Sequence, residues 1–392
     1  MSTTPLPGRP DDDASLITFT ETPQLREEGE LIATVQRLSL ARTVDEIQEI
    51  VRTAARNLTG ADGATFVLRD EDRCFYADED AVAPLWKGER FPMSACVSGW
   101  TMNHRKPVAI PDIYDDERVP ADAYRPTFVR SLAMVPIRRL DPVGAIGNYW
   151  ADRHDPTARE LALLQALADS TAVALENVRV YCELEAARLE SLQRLALAAE
   201  YRDDGTHEHT TRVAHTAYLL AQAIGYPHDE AAEIGQAAQL HDVGKLAIPD
   251  RILLKRRKLS DAEFSQLKTH TTAGAAILGG TQAPVWRPAE EIALNHHERW
   301  DGRGYPGGLQ GEAIPMSGRI VAIADVFDAL THARPYKRAW TTDEAVSEIR
   351  SLSDRQFDPS VVSAFLELDP GHMADPDDAG EFLFNPVSTA AA

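Results

Sequence analysis

Apolar residues along the chain change their spacing twice, and each change marks a predicted boundary. Spacing of three and four residues over residues 24–41 and 45–58 predicts two amphipathic helices. Five short segments rich in β-branched or aromatic residues follow up to about residue 152, and their charged, Gly or Pro boundaries indicate strands. Helices beside an antiparallel sheet give an α+β domain over residues 24–155. Residues 1–23 are rich in Pro, Thr and Asp without periodicity, so we expect a disordered tail.

Residues 156–200 carry a seven-residue apolar repeat with no glycine and no proline after the first position. One set of repeat positions holds Leu161, Ala168, Leu175, Cys182, Leu189 and Ala196, and the other holds Leu164, Thr171, Val178, Leu192 and Ala199, with Glu185 as the exception. The repeat predicts a helix on the order of 65 Å long and a parallel coiled coil that joins two copies of the chain. The alternative is that the first half packs on the preceding sheet and the second half on the following domain.

Residues 201–369 show helical spacing throughout, with short breaks at Gly or Pro, and they predict an all-α helical bundle. Capping-box spacing at Ser260 and Thr341 marks two of the helix starts. Residues 370–392 are acidic and then small and apolar, so we expect a flexible tail. The predicted fold class is therefore an α+β domain, a long helical linker and an all-α bundle.

The acidic composition of the chain limits its partners. Its 392 residues suffice for two domains with cores of their own. The 61 acidic residues outnumber the 40 basic ones, and the net charge of −21 argues against a broad basic face for a nucleic-acid polymer. Three widely spaced cysteines favour a reducing compartment over a disulfide framework. No apolar run reaches the ~18 residues of a membrane span and no signal-peptide core is found, so we expect a cytoplasmic protein without membrane contact.

Histidines and aspartates of the helical part form a pattern that suits divalent metal ions, although each histidine alone is more often an ordinary core or surface residue. The candidate ligands are His209, His241, Asp242, His270, His296, His297 and Asp325. Imidazoles and carboxylates without a thiolate suit hard or borderline ions. Successive helical residues diverge by about 100°, so an adjacent pair straddles two ions, and Asp242 with its two oxygens is the natural bridge. Two ions ~3.5–4 Å apart clamp a phosphoryl group and activate water, which is the chemistry of phosphodiester hydrolysis.

An anionic substrate of this acidic chain needs local positive charge. Lys245, one turn beyond His241, can supply it together with Arg334 and Lys337, and the alternative for these cations is a solvated helix end. The loop over residues 300–308 holds four glycines, which allow a sharp bend and a close approach of backbone to ligand. A simple turn is the alternative there.

Residues 25–175 resemble a GAF domain, most clearly from Cys96 to Ile137, which reads CVSGWTMNHRKPVAIPDIYDDERVPADAYRPTFVRSLAMVPI. The resemblance implies a small-molecule sensor and dimerisation module and leaves its ligand unknown. A bilin thioether at Cys96 is one interpretation, but Val97 stands where chromophore-bearing relatives often have a histidine. The favoured interpretation is a buried thiol that packs as a small apolar group.

Residues 201–368 resemble the HD-GYP subgroup of HD-domain metallophosphohydrolases, and the motifs are HDVGK, KTH, HHERWDGRGYP, ADVFDALTHARPYK and FDPSVV. The resemblance implies a phosphodiesterase that linearises cyclic di-GMP to pGpG, with further hydrolysis to GMP left open. At the matching positions, it makes the seven candidates above ligands of two divalent metal ions, with iron or manganese favoured. It gives catalytic roles to Asp242 and Lys245 and substrate-binding roles to Lys245, Asp301, Tyr305, Arg334 and Lys337.

One position departs from the HD-GYP pattern. Gly205 stands where many relatives place a glutamate that helps hold a third metal, four residues before His209. Asp204 or His207 can substitute, but a site with two metals is the simpler expectation. Loss of the third metal predicts that turnover stops after the first hydrolysis.

Two functional classes stay open. The first is an enzyme whose metal cleft is regulated by the GAF ligand through the linker helix, acting on cyclic di-GMP or on another cyclic dinucleotide. The second is a catalytically weak receptor that binds cyclic di-GMP or a partner carrying a diguanylate cyclase domain. The complete set of candidate ligands favours the enzyme, and the linker predicts a homodimer in both cases.

Overall fold

The computed structural model describes residues 23–202, 208–280, 286–332, 338–368 and 373. The chain divides into two compact units, Met1–Val180 and Tyr181–Ala392, with the boundary inside the predicted linker. The predicted tails lie outside the described residues, apart from residues 23 and 373. Among the helices of the described residues, none combines the length and apolar character that a membrane crossing requires.

The first unit contains a six-stranded antiparallel sheet with the strand order β3-β2-β1-β6-β5-β4. Its strands are β1 Gly63–Asp70, β2 Arg73–Ala81, β3 Arg90–Pro92, β4 Val108–Ile110, β5 Ser131–Ile137 and β6 Gly144–Trp150. Every residue of β5 and β6 is buried, so these strands are covered on both faces. All five predicted strand segments overlap a strand, whereas β3 was missed because three residues carry no periodic pattern.

Helices before and between these strands complete the predicted α+β domain. They are α1 Pro23–Leu40, α2 Val44–Thr59, α3 Val97–His104 and α4 Ala121–Tyr124. Thr43 and Glu46 form a capping box at the start of α2, and Gly60, with φ of 64°, ends it in the left-handed conformation. The buried residues of α2 recur every three or four positions from Ile47 to Leu58, which gives it one apolar face for the sheet.

The long helix α5, Ala158–Glu200, begins in the first unit and ends in the second. Its seven-residue repeat is largely buried inside the chain. Leu164, Ala168, Thr171 and Val178 are buried in the first unit, and Leu189, Leu192, Ala196 and Ala199 are buried in the second. Burial within the chain favours the alternative interpretation of the repeat for these residues, and the coiled coil stays a prediction. The large apolar side chains of α5 that stay exposed are Val173, Val180, Tyr181, Leu184 and Leu197.

The second unit is the predicted all-α bundle. Its helices are α6 Glu208–Ile224, α7 His228–Ala238, α8 Asp250–Leu253, α9 Asp261–Lys268, α10 His270–Leu278, α11 Trp286–Asn295, α12 Met316–Thr331, α13 Thr342–Ser351 and α14 Pro359–Glu367. The capping boxes at Ser260 and Thr341 are confirmed and begin α9 and α13. The core is built mainly from α6, α7, α11, α12, α14 and the end of α5.

Candidate metal centre

The seven candidate ligands converge from five helices of the second unit. His209 lies in the first turn of α6, His241 and Asp242 follow α7, His270 begins α10, His296 and His297 follow α11, and Asp325 lies within α12. Gly244 allows the turn after Asp242 to pack closely on α10, because a Cβ at this glycine would lie 1.8 Å from the carbonyl oxygen of His270. The glycine of the HDVGK motif is therefore required by packing at the site.

These residues form two groups, and each group can hold a metal ion. Asp242, His270, His296 and His297 form the first group, and His209, His241 and Asp325 form the second, with the candidate ligand atoms of each group within 4.8 Å of one another. Asp242 connects the groups, because its Oδ1 lies 3.4 Å from His270 Nε2 and its Oδ2 lies 3.3 Å from His241 Nε2. Oδ1 of Asp325 lies 3.6 Å from His209 Nε2 and 4.0 Å from His241 Nε2.

Three of the histidines are held in the tautomer that leaves Nε2 available to a metal. Nδ1 of His241, His270 and His296 lies 2.8, 2.8 and 3.0 Å from the carbonyl oxygens of Ala238, Leu267 and Ile292. A carbonyl oxygen only accepts, so each Nδ1 carries the proton and donates it. The three Nε2 atoms and Oδ1 of Asp242 are buried and have no hydrogen-bond partner within the described residues. Buried polar atoms rarely lack a partner, and four that converge fit divalent cations.

Burial and charge set the protonation states of the cluster without metal. Burial lowers the pKa of His270, His296 and His297, the last to about 4. Burial also disfavours the charged form of His241, but Asp242 and Asp325 outweigh it and raise the pKa of His241 to about 9. Burial of Asp242 is likewise outweighed, by Lys245 and His241, which hold the pKa of this carboxyl well below its usual range. Neutral imidazoles and an ionised carboxylate are the forms that bind metals, so metal binding at neutral pH requires His241 to release a proton.

A further carboxylate, Asp328, holds His209 from the side away from the cluster. Its Oδ2 lies 2.6 Å from His209 Nδ1, and its Oδ1 accepts a hydrogen bond from Nε of Arg212. The Asp328 side chain is buried, and Nδ1 of His332 lies 3.1 Å from it. With Nδ1 engaged, His209 presents Nε2 to Asp325. Sequence reasoning missed Asp328, and the available signal was its position one helical turn after Asp325.

Glu298 fastens the glycine-rich loop to the end of α11. Its buried carboxylate accepts hydrogen bonds from the backbone N–H groups of Gly307 at 2.6 Å and Leu309 at 3.0 Å. A Cβ at Gly304 would lie 2.5 Å from Cα of Glu298, so glycine lets the loop press against the helix end. Glu298 was not among the predicted site residues, because its partners are backbone groups that sequence patterns do not reveal.

The predicted substrate residues occupy different positions around the centre. The ring of Tyr305 lies 4.8 Å from the ring of His297, centroid to centroid, so it borders the first group. Nζ of Lys245 lies 2.8 Å from Oδ2 of Asp242 and adds positive charge beside the cluster.

Asp301 is engaged inside the loop, since Arg299 donates to both of its oxygens at 3.1 and 3.0 Å. Arg334 and Lys337 lie outside the described residues, as do Asp204, Gly205 and His207. Their predicted roles, like the substrate role of Asp301, stay predictions.

The first unit has a buried polar cluster of a different kind. The thiol of Cys96 is buried and caps α3, accepting from Gly99 N–H at 3.4 Å and from Ser98 Oγ at 3.2 Å. A cavity of about 20 Å³ lies beside it, and Trp86 packs edge-on against its neighbouring rings. Space of that size holds about one water molecule. In this conformation the pocket is filled by its own aromatic side chains.

Comparisons with known families divide the chain in the same way. Residues 41–176 match the family model of the GAF domain, and residues 192–361 match that of the HD domain. The two matches include the sheet of the first unit and all seven candidate ligands of the second.

Curated relatives of the chain are bacterial phosphodiesterases. It is 50% identical over 184 residues to the cyclic di-GMP phosphodiesterase response regulator RpfG of Xanthomonas campestris pv. campestris, covering 47% of this chain and 49% of that protein. It is 48% identical over 189 residues to a cyclic di-GMP phosphodiesterase of Thermotoga maritima, covering 48% and 51%. It is 42% identical over 205 residues to the 3'3'-cGAMP-specific phosphodiesterase 2 of Vibrio cholerae, covering 52% and 39%. The chain thus spans about half the length of the first two relatives.

Proposed function

The chain combines a GAF domain with an HD domain, and from this premise we propose that it is a metal-dependent phosphodiesterase that hydrolyses cyclic di-GMP to pGpG. The observation that carries the proposal is the convergence of buried Nε2 atoms on Asp242, whose two oxygens face different groups of histidines. The named activities of the relatives support the substrate class.

The residues of the site divide the work of such a reaction. Bound divalent ions supply Lewis-acid stabilisation of the phosphoryl oxygens and activate water near neutral pH. Asp242 is suited to bridge two ions, because each of its oxygens faces one group of histidines. The protons held on Nδ1 by backbone carbonyls keep the Nε2 lone pairs available as ligands. Lys245 adds positive charge where an anionic phosphodiester approaches the acidic chain.

We propose two ions at the seven-residue centre, with iron or manganese as the metal. Two separate groups of candidate ligands support the number. The candidate ligands are imidazole nitrogens and carboxylate oxygens, which are compatible with iron or manganese. The general order of divalent-metal affinities does not by itself select these two metals. With two ions, pGpG is the expected end product, and GMP as the dominant product of purified protein would contradict this part of the proposal.

Product analysis tests the function directly. Anaerobically purified protein is stripped with a chelator, reloaded separately with Fe²⁺, Mn²⁺ or Mg²⁺, and incubated with cyclic di-GMP or 3'3'-cGAMP before chromatography. We expect metal-dependent formation of pGpG from cyclic di-GMP, with iron or manganese most active. Faster turnover of 3'3'-cGAMP would identify this dinucleotide as the preferred substrate. It is the specific alternative because the Vibrio cholerae relative named for it is 42% identical. Tight dinucleotide binding without turnover at any metal would indicate the receptor, and binding of an isolated diguanylate cyclase domain would then be tested.

We also propose that the chain forms a homodimer through α5. The contact would use an exposed stripe of the helix and not the buried residues of the seven-residue repeat. Val173, Val180 and Leu184 are 61%, 49% and 63% exposed, and their spacing of seven and four residues places them on one stripe of the helix. We expect light scattering to show a dimer that V180E/L184E converts to a monomer, whereas the exposed control E190Q leaves it unchanged.

Regulation by the GAF domain and a cytoplasmic location complete the proposal. Helix α5 begins in the GAF unit and contributes Leu189 and Leu192 to the core of the HD unit. A ligand-dependent change in the twist of α5 would therefore be transmitted to the HD unit. The cytoplasmic location is supported by three free cysteines within the described residues.

A further inference from the structure

Lys268 is a cation beside the metal centre that has no carboxylate partner within the described part of the chain. It ends α9, two residues before His270. Its Nζ lies 5.0 Å from the ring centroid of Tyr305 and 4.8 Å from that of Phe264, and the side chain is half-buried. Contacts of an ammonium group with two aromatic faces hold it in place without neutralising its charge.

Two other cations near the site are paired with acids. Nζ of Lys245 lies 2.8 Å from Asp242, and Arg299 binds Asp301 through two nitrogens. Lys268 differs from them because its charge contacts aromatic rings, whereas a half-buried lysine in an acidic chain usually forms an ion pair. The arrangement leaves Lys268 available to an anionic ligand.

Tyr305 connects this cation with the metal centre. Its ring centroid lies 5.0 Å from Lys268 Nζ and 4.8 Å from the ring centroid of His297. Tyr305 thus contacts both Lys268 and a candidate ligand of the first group, so one substrate could contact the metal centre and Lys268 together. A cyclic dinucleotide carries two phosphodiesters, and the metals can engage only one at a time.

We propose that Lys268 binds the phosphate of the cyclic dinucleotide that is not being hydrolysed, with Tyr305 as its platform. The inference rests on the proposed function, since it needs a substrate with two phosphates. It adds a substrate-binding residue from the KTH segment, where sequence reasoning selected only His270. The alternative is that Lys268 is a solvated cation without a substrate role.

The test compares a substrate with two phosphates and one with a single phosphate. For K268M we expect kcat/KM on cyclic di-GMP to fall about 10- to 100-fold, mostly through KM, because a hydrogen bond to a charged group is lost. On bis(p-nitrophenyl) phosphate, which has no second phosphate, the same variant should change kcat/KM by less than about two-fold. Metal content should stay equal to that of the original protein.

Matched variants separate charge from structure. K255M is the control, because Lys255 lies in the loop before α9 and its Nζ binds Glu263 at 2.6 Å, and we expect little effect on either substrate. K268R keeps the charge and should restore most of the affinity for cyclic di-GMP. Y305L removes the ring that contacts the ammonium group and should weaken binding of cyclic di-GMP, and the loss for Y305L/K268M should be smaller than the two single losses combined.

The outcomes distinguish this inference from the function on which it rests. An equal loss on both substrates, or no loss on either, would overturn the role of Lys268 while leaving the phosphodiesterase intact. If the original protein hydrolyses bis(p-nitrophenyl) phosphate but not cyclic di-GMP, the proposed substrate fails. A selective effect of K268M on 3'3'-cGAMP would then retain the role of Lys268 for another cyclic dinucleotide.

Discussion

The two units each bury a polar cluster, and the clusters differ in what their polar atoms reach. In the GAF unit the hydroxyl of Tyr76 pairs with Ser98 at 3.1 Å and that of Tyr149 pairs with Thr65 at 3.0 Å. In the HD unit the buried Nε2 atoms and Oδ1 of Asp242 converge without a hydrogen-bond partner in the described residues. The hydroxyl groups of the first cluster pair with one another, whereas the polar atoms of the second surround a position that a metal ion can fill.

This difference is a physical criterion for separating a functional cluster from a structural one. A buried donor or acceptor without a partner costs on the order of 1–3 kcal/mol, so several that converge need compensation from a bound group. Tyr76 and Tyr149 need none, since neighbouring hydroxyls satisfy them. We therefore expect substitutions in the HD cluster to change metal binding and substitutions in the GAF cluster to change only stability.

The largest effect is expected from Asp242→Ala. This change removes the carboxylate that faces both groups, so we expect loss of bound metal and a fall in cyclic di-GMP turnover of about 1000-fold or more, as several kcal/mol of metal catalysis are lost. Metal analysis and product assays provide the measurement. The exposed Asp229→Ala on α7 is the control and should keep both properties. Full metal content in Asp242→Ala would contradict the bridging role and weaken the contrast between the two units.

Asp328→Asn should have the next largest effect. The amide keeps the shape of the side chain but removes the charge that holds Nδ1 of His209 and pairs with Arg212, so metal affinity should fall about 10- to 100-fold. Competition with a fluorescent chelator measures this affinity, and excess metal should recover part of the turnover. The exposed Asp343→Asn serves as the control. Unchanged metal affinity with a lowered Tm would show that Asp328 only stabilises the fold.

The sequence predicted the parts of the HD site that depend on residue type and failed for those that depend on distant partners. Histidines next to aspartates at helix ends indicated a metal, and the structure brings all seven into two groups. Asp328 was missed because its partner Arg212 is 116 positions away in the sequence. Glu298 was missed because it binds backbone N–H groups. No local pattern records either partner.

The helix between the domains shows the opposite case, a pattern that fits two different structures. A seven-residue apolar repeat is required by a coiled coil, but a helix that packs on its own domain also has a stripe near this period. The repeat residues of α5, such as Leu164 and Leu192, proved to be buried within the chain. The exposed residues Val180 and Leu184 could be separated from them only once neighbouring elements were placed.

Glu298→Gln tests the loop with a smaller expected effect. One of its two accepting oxygens becomes an amide nitrogen, so the hold on Gly307 or Leu309 is lost and the loop that carries Tyr305 loosens. We expect KM for cyclic di-GMP to rise about ten-fold, as for one charge-assisted hydrogen bond, with metal content unchanged. Glu312→Gln, exposed after the same loop, is the control. Loss of metal would instead place Glu298 in the support of His297.

Cys96→Ser should have the smallest effect on the HD site and should show that the GAF cluster is structural. We expect metal content and turnover to change by less than about two-fold. The hydrogen bond from Cys74 lowers the pKa of Cys96 to about 6 against the opposing effect of burial, with help from Ser98 and Gly99. A depressed thiol pKa adds stability as pH rises from about 6 toward the ordinary value near 9. The advantage of the original protein over Cys96→Ser in urea unfolding should therefore grow between pH 6 and 8.5, with half-buried Cys182→Ser as the control. A lower metal content in Cys96→Ser would contradict the contrast, because a thiol in the GAF cluster would then influence the HD cluster.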